Sequence, residues 1–385
     1  MADVYIKKRG ETLIEVVAAG ESIHYELYDH FSFFAKDYQH MPKFKEGVWD
    51  GKIRLYKVRN RSLPHGLRDD LIKFCVKYGY SYEVDPALAP LDVKSDMKDF
   101  VKNKLSLISN YIPYEYQLGA FLACCVENKV LILSPTASGK SLIIYMMVRF
   151  IFDVMERDIL IVVPNTGLVE QLVKDFDEYD PEGTFGTKFV HKIYDGKEKQ
   201  TDLRVTVSTW QSIYKLPASW FSRFDAVMVD EAHQGNTASL SGILGNVVST
   251  PFILGFTGTL EDTKTHEMVL RGLFGKVVRA TTTKEQMDKG RLAELSIDFA
   301  RLRYSDLDCK IVKPLKYAEE IQWLICNKQR NQFIVDEAMN TDKNVLVLFN
   351  FIEKHGDVLI KMAHEHARAA GKQIHYIHGE IDVQE

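Results

Sequence analysis

The stretch Lys129-Val-Leu-Ile-Leu-Ser-Pro-Thr-Ala-Ser-Gly-Lys-Ser141 decides how the rest of the chain is read. Val130 to Leu133 is an unbroken apolar run, which suits a strand buried on both faces of a parallel sheet. The run breaks at Ser134-Pro135. Gly139-Lys140-Ser141 then opens a second apolar stretch, Leu142 to Phe152, long enough for a helix. Strand, tight loop, Gly-Lys-Ser and helix together make a phosphate-binding loop. A helix start presents free backbone N–H groups and the positive end of its dipole, and both attract phosphate. Gly139 lets the backbone come close, Lys140 reaches the β- and γ-phosphates, and Ser141 offers its hydroxyl to Mg²⁺. Ser134 stands where the usual first glycine would, so the pattern is met in part, and an ordinary strand–turn–helix is the competing reading.

Outward from this loop the strands repeat. Asp158 to Pro164, Leu203 to Ser208, Ala226 to Glu231 and Phe252 to Phe256 are short apolar runs, with a helical pattern at Leu168 to Phe176. Such alternation predicts an α/β fold with a doubly wound parallel sheet. Ligands of these sheets sit at the carboxyl ends of the strands, so Ser134, Pro164, Ser208, Asp230 and Phe256 are expected along one edge. Asp230 can hold Mg²⁺ through water, and Glu231 can orient and deprotonate an attacking water. Adjacent acids are common on surfaces, but a dry strand that ends in two carboxylates calls for a cation nearby. Upstream, Ile112-Pro-Tyr-Glu-Tyr-Gln117 leads into an apolar helix, Leu118 to Val126. Its rings offer a stacking surface and Gln117 a bidentate amide for adenine, unless the motif is simply a helix start.

The 385 residues suggest two or three domains. Composition is that of a globular protein, and the net charge of −4 means that any nucleic-acid-binding patch is local. One such patch runs from Lys36 to Lys77, where eleven lysines and arginines face five acids. Lys52, Arg54 and Arg59 are its candidate phosphate contacts. Tyr38, Phe44, Trp49 and Tyr56 are interleaved as rings that stack on or wedge against bases; the bland alternative is a solvated face over a small core. Five cysteines without a C-x-x-C pair point to reduced thiols in a cytoplasm. The charged start is no signal peptide, and the longest apolar run, Leu142 to Val148, is too short to cross a bilayer, so no membrane partner is expected. Near Gly290 a second α/β half is expected, with strands at Asn344 to Asn350 and Gln373 to His378 around a helix, Phe351 to Ala370. The histidines at 364, 366, 375 and 378 lack a spacing that would share one metal.

Taken together, the motifs resemble those of superfamily 2 helicases. Ser134 to Ser141, Asp230-Glu-Ala-His233 and Thr257-Gly-Thr259 look like motifs I, II and III, and Tyr116-Gln117 like the adenine-reading Q motif. Val163-Pro-Asn-Thr166 and Ser208-Thr-Trp-Gln211 look like motifs Ia and Ib/Ic. With Phe31-Ser-Phe33 and Gly47 to Leu55 ahead of them, the whole chain is similar to the UvsW-type phage helicases, which remodel forks, R-loops and Holliday junctions. The resemblance implies an α+β nucleic-acid-binding domain at 1–90, a RecA-like ATP-binding domain at 91–288 and the beginning of a second RecA-like domain at 289–385.

The same resemblance implies roles. Thr136, Ala137, Ser138, Gly139, Lys140 and Ser141 hold the phosphates of ATP, Ser141 and Asp230 hold Mg²⁺, Glu231 activates water and Gln117 reads adenine. His233, Thr257 and Thr259 couple hydrolysis to strand movement, while Asn165, Thr166, Thr209 and Gln211 touch the nucleic-acid backbone. The implied partners are branched or double-stranded DNA, RNA–DNA hybrids included, in the cytoplasm of an infected bacterial host. Motifs V and VI have no match before Glu385, so a downstream polypeptide completing the second domain is expected. Two other functions compete. A double-strand translocase or restriction-type subunit would need a nuclease, for which Glu127-Asn-Lys129 is the nearest pattern; a non-catalytic annealing module is at odds with Lys140, Asp230 and Glu231.

Overall fold

The computed structural model describes residues 2–194, 196–234, 237–247, 250–260, 264–366 and 372–378. The N-terminal strands are β1 (Val4–Lys8), β2 (Leu13–Ala18), β3 (Ser32–Phe34), β4 (Lys52–Arg54), β5 (Ser62–Pro64) and β6 (Tyr82–Val84). Seven more follow: β7 (Lys129–Leu133), β8 (Ile159–Val163), β9 (Val190–Ile193), β10 (Val205–Thr209), β11 (Ala226–Val229), β12 (Phe252–Thr257) and β13 (Lys276–Arg279). These seven form a parallel sheet in the order β13-β7-β12-β11-β8-β10-β9. The fold is mixed α/β, as the alternating pattern requires.

Successive residues of a strand point to opposite faces, and the sheet uses both. Val130 and Ile132 of β7 pack on one side with the helices Glu115–Glu127, Lys140–Asp153 and Thr166–Tyr179. Leu131 packs on the other with Val227, Val229, Ile253, Leu270 and Phe274. Helix Lys140–Asp153 is apolar nearly all round, with Leu142 to Val148, Phe150 and Ile151 buried, so it is a core element.

The N-terminal sheet has the order β5-β2-β1-β6, covered by the helices Glu21–His30 and Arg68–Tyr78. It packs against the foot of the large sheet. Glu11 reaches both Lys8 and Lys129 at 2.8 Å, and Asp70 meets Arg271 at 2.6 Å. Gly66 lies so close to this joint that a Cβ there would sit 1.9 Å from the Arg271 carbonyl. Residues 1–294 make one compact unit and 295–385 a second.

The second unit differs from expectation. Its regular elements are the helices Asp306–Val312, Tyr317–Cys326, Lys328–Asn340 and Asp357–Glu365, with a small core of Val335, Met339 and Leu359. No strand forms there among the described residues, so neither 344–350 nor 373–378 is the expected β-strand. The two segments do approach: the rings of Phe349 and Tyr376 stack at 5.5 Å, and the Tyr376 hydroxyl donates to Asp357 at 2.8 Å. Their backbones form no ladder, and a strand without a hydrogen-bonded neighbour is not a strand. The helix expected from Phe351 is a π turn, Ile352–Gly356, followed by Asp357–Glu365; residues 367–370 lie outside the described residues.

Candidate functional site

The loop between β7 and helix Lys140–Asp153 is held from within. Ser134 N–H donates to Thr257 O at 2.9 Å, and the Ser134 and Ser138 hydroxyls share a 2.6 Å bond. Gly139 has φ +71°, the left-handed conformation that glycine tolerates. Ala137 also has positive φ, at +61°, where an alanine carries about 1 kcal/mol of strain. A glycine at this position would carry no such strain. Thr136 and Ala137 are exposed at the tip, and Ser138 is buried.

The ends of the neighbouring strands meet this loop. The Lys140 ammonium sits 2.9 Å from Asp230 Oδ1 and donates to Glu231 Oε1. Burial pushes the Asp230 carboxyl above its ordinary range, and Lys140 pulls it part of the way back. Glu231 holds a left-handed φ of +47°, a strained setting for a non-glycine residue at the end of a buried strand. Behind it, His233 Nδ1 and Thr257 Oγ1 are 2.6 Å apart, and the Thr257 hydroxyl donates to Thr259 O at 2.8 Å. Because the threonine proton is spent on Thr259, His233 Nδ1 must carry the hydrogen of the first bond. A single chain of contacts thus joins Glu231, His233, Thr257 and Thr259.

Gln117 is 3% exposed and has both ends of its amide engaged. Its Oε1 accepts from Tyr114 N–H at 2.8 Å, and its Nε2 donates to the carbonyls of Ser138 at 3.1 Å and Gly139 at 3.3 Å. Tyr116 donates to the same Ser138 carbonyl at 2.7 Å. The aromatic turn therefore braces the phosphate loop. The ring of Tyr114 is partly exposed, stacked on Tyr116 and covered at 3.7 Å by the guanidinium of Arg291. Sequence reasoning passed over Arg291 and also Tyr179, whose hydroxyl shares a 2.7 Å bond with that of Ser141. Both lie far along the chain from their partners, so no local pattern marks them.

Asn165 and Thr166 are exposed just past the end of β8. Asn165 caps the following helix by accepting from Leu168 N–H at 2.9 Å. Gln211 is exposed beside them and donates to Pro164 O at 3.0 Å. Thr209 is buried, with its hydroxyl on Ser212 at 2.8 Å, and is less accessible than the other three. Within the basic stretch, Arg59 is exposed, Lys52 lies 5.2 Å over the ring of Phe34, and Arg54 is held by Asp50. This hydrogen-bonded pairing lowers the Asp50 carboxyl to about 2. Tyr56, expected among the base-contacting rings, is instead fully buried and shares a 2.6 Å bond with His24 Nδ1. Glu127 and Lys129 are both engaged in ion pairs at the foot of the sheet, with Lys276 at 3.1 Å and Glu11 at 2.8 Å.

Residues 10–85 match the family described as DNA helicase UvsW, N-terminal, and residues 110–262 match type III restriction enzyme, res subunit. The ATP-dependent DNA helicase uvsW of Enterobacteria phage T4 is 34% identical over 376 residues, spanning 94% of this chain and 73% of that protein. The chain belongs to the UvsW-type helicase family. Two crystal structures of the bacteriophage T4 UvsW helicase agree. One aligns at a TM-score of 0.66 with 31% identity over 99% of this chain and 76% of that one; the other aligns at 0.64 with 32% identity over 72% and 99%. In this UvsW-type chain, no helix among the described residues is long and apolar enough to cross a membrane.

Proposed function

We propose that this chain uses ATP hydrolysis to remodel branched DNA: forks, Holliday junctions and R-loops. As a UvsW-type helicase it is an ATP-driven DNA helicase; the residue roles and the branched substrate are the proposal. The observation that carries it is the cluster of Lys140, Asp230 and Glu231, one ammonium between two carboxylates at the carboxyl edge of a parallel sheet. Phosphate arriving at the loop exchanges for a carboxylate on Lys140 and meets the N–H groups that open helix Lys140–Asp153. Glu231, released from the lysine, is then free to take a proton from water. The contact from Glu231 to His233 carries that change to Thr257 and Thr259.

Asp230 and Ser141 offer oxygen donors, which suit Mg²⁺, a hard cation that takes few protein ligands beside water and phosphate. When bound, the ion neutralises charge on the phosphates. With the Ser141 hydroxyl donating its hydrogen bond to Tyr179 Oη, the serine lone pairs are left for a cation. Adenine reaches the ring of Tyr114, beside Gln117, by displacing the Arg291 guanidinium that covers it. Asn165, Thr166 and Gln211 at the sheet edge, with Lys52 and Arg59 on the N-terminal domain, are the proposed backbone contacts. The ion pairs that occupy Glu127 and Lys129 disfavour a nuclease there, and with it the restriction-type reading.

ATP hydrolysis measured with single-stranded DNA, blunt duplex, a fork and RNA as activators tests this directly. The fork should stimulate most. Lys140→Ala should lower hydrolysis by about 10²–10³-fold or more, since it removes the charge on the phosphates. Glu231→Gln should keep ATP binding and lose turnover. Near wild-type turnover by Glu231→Gln would show that its role is misassigned.

A further inference from the structure

We propose that Arg291 is a tethered plug on the adenine surface: its guanidinium competes with the base of a nucleotide for the Tyr114 ring and thereby sets nucleotide affinity. The inference rests on the reading that adenine stacks on Tyr114. Arg291 follows the helix Thr283–Asp288, which is stopped at Gly290, where φ is a left-handed +65°. The backbone there is fixed. Arg291 and Leu292 N–H both donate to Gln286 O, at 2.9 and 3.2 Å, and the buried Gln286 side chain donates to Thr281 Oγ1 at 2.7 Å. The side chain can therefore swing on and off the rings without any movement of the sheet.

Only the rings hold the guanidinium. It lies 3.7 Å over Tyr114 and 5.8 Å from Tyr116, and it makes no hydrogen bond or ion pair to a described residue. Other arginines of the same unit are pinned by carboxylates: Arg149 by Asp153 and Asp180, Arg223 by Asp158, and Arg271 by Asp70. Arg291 is exposed, so its five N–H donors stay in water. A cation–π contact of that kind shifts an equilibrium by only about two- to fivefold. It is a contact built to be exchanged.

A flat base and a flat guanidinium suit the same ring face, and both cannot occupy it. A ring that is covered part of the time binds with an affinity reduced by that fraction. The phosphates meet no such competition. Their loop is braced by Tyr116 and Gln117 on the Ser138 and Gly139 carbonyls, contacts in which Arg291 takes no part. Arg291 therefore acts on the base and not on the phosphates. Because it is tethered, it returns to the ring as the base leaves, which favours release of ADP over rebinding.

The test titrates the whole chain with ADP and with inorganic pyrophosphate, which carries the phosphates without the base. Arg291→Ala should tighten ADP about two- to fivefold and leave pyrophosphate within about 1.5-fold. In a Tyr114→Leu background the same substitution should leave ADP binding unchanged, because the ring for which both compete is gone. Phenylglyoxal labelling of Arg291, read by mass spectrometry, should rise with ADP and stay constant with pyrophosphate. Weaker ADP binding by Arg291→Ala, or labelling that falls with ADP, would mean that the arginine stays and clasps the base, and would overturn the proposal. So would an equal change for ADP and pyrophosphate, which would be a charge effect on the phosphates. The adenine reading is judged separately. Tyr114→Leu, made in the Arg291→Ala protein, should weaken ADP by roughly 5- to 150-fold, the usual cost of losing an aromatic partner of a stacked base. If it does so while Arg291→Ala alone fails to tighten ADP, only the plug fails. If it leaves ADP unchanged, the base docks elsewhere and both readings fall.

Discussion

Two runs in this chain read almost alike, Lys129-Val-Leu-Ile-Leu133 and Lys343-Asn-Val-Leu-Val-Leu-Phe349. The first is β7, bonded to β12 on one side and β13 on the other, with every residue after Lys129 buried. The second forms no ladder, and Leu346 and Leu348 are each 82% exposed. Their opening lysines diverge as well: Lys129 is nearly buried against Glu11, and Lys343 is exposed. Equal apolarity has produced opposite outcomes. An apolar run supplies the incentive to be buried, but a parallel strand exists only where neighbours satisfy its N–H and C=O groups.

The contrast can be tested residue by residue. Leu131→Ala removes side-chain atoms packed among Leu160, Val227 and Phe274 and should cost about 2–5 kcal/mol in denaturant unfolding of the whole chain. Leu346→Ala should stay within about 0.5 kcal/mol. Similar losses at the two positions would mean that the second run is packed in solution after all.

The next test uses the lysines. Burial lowers the Lys129 pKa while Glu11 opposes it. Glu11→Gln therefore leaves an ammonium with little water and no carboxylate, at a cost of about 1–3 kcal/mol. Lys343→Ala should be silent by the same measurement. A silent Glu11→Gln would show that the joint between the N-terminal sheet and β7 does not depend on this pair.

The smallest effect lies at the foot of β7, in the crevice where His65 faces Lys129, Arg68 and Lys8. Burial and then those three cations lower the His65 pKa from 6.5 to about 3. The unfolded chain takes up a proton below about pH 6.5 and the folded chain does not, so stability falls as the pH drops from there toward 3. One such group contributes up to about 1.4 kcal/mol per pH unit. His65→Gln should flatten the stability profile between pH 6.5 and 5 by up to that amount. An unchanged slope would mean that His65 is protonated in the folded protein.

Much of the site was legible because its chemistry is written in short, local patterns. Gly139-Lys140-Ser141, Asp230-Glu231 and the apolar runs before them fix strand, loop and helix through periodicity and backbone preference alone, and parallel strands bring their carboxyl ends to one edge. The rest depends on contacts between residues far apart in the chain. Nothing near Tyr56 in sequence says that it closes on His24 rather than facing solvent. Nothing near Gln117 says that its amide is spent on Tyr114 N–H and the phosphate loop. Arg291 on Tyr114 and Tyr179 on Ser141 are likewise products of folding.

The sequence by itself determined the α/β class, the order of the motifs and the identity of the charged groups at the sheet edge, because those follow from local periodicity and side-chain chemistry. Only the tertiary structure decided which of two matching apolar runs became a strand, which rings of the basic stretch stayed open to solvent, and which polar side chains were already engaged. Each of those outcomes depends on a neighbour that the local sequence does not contain.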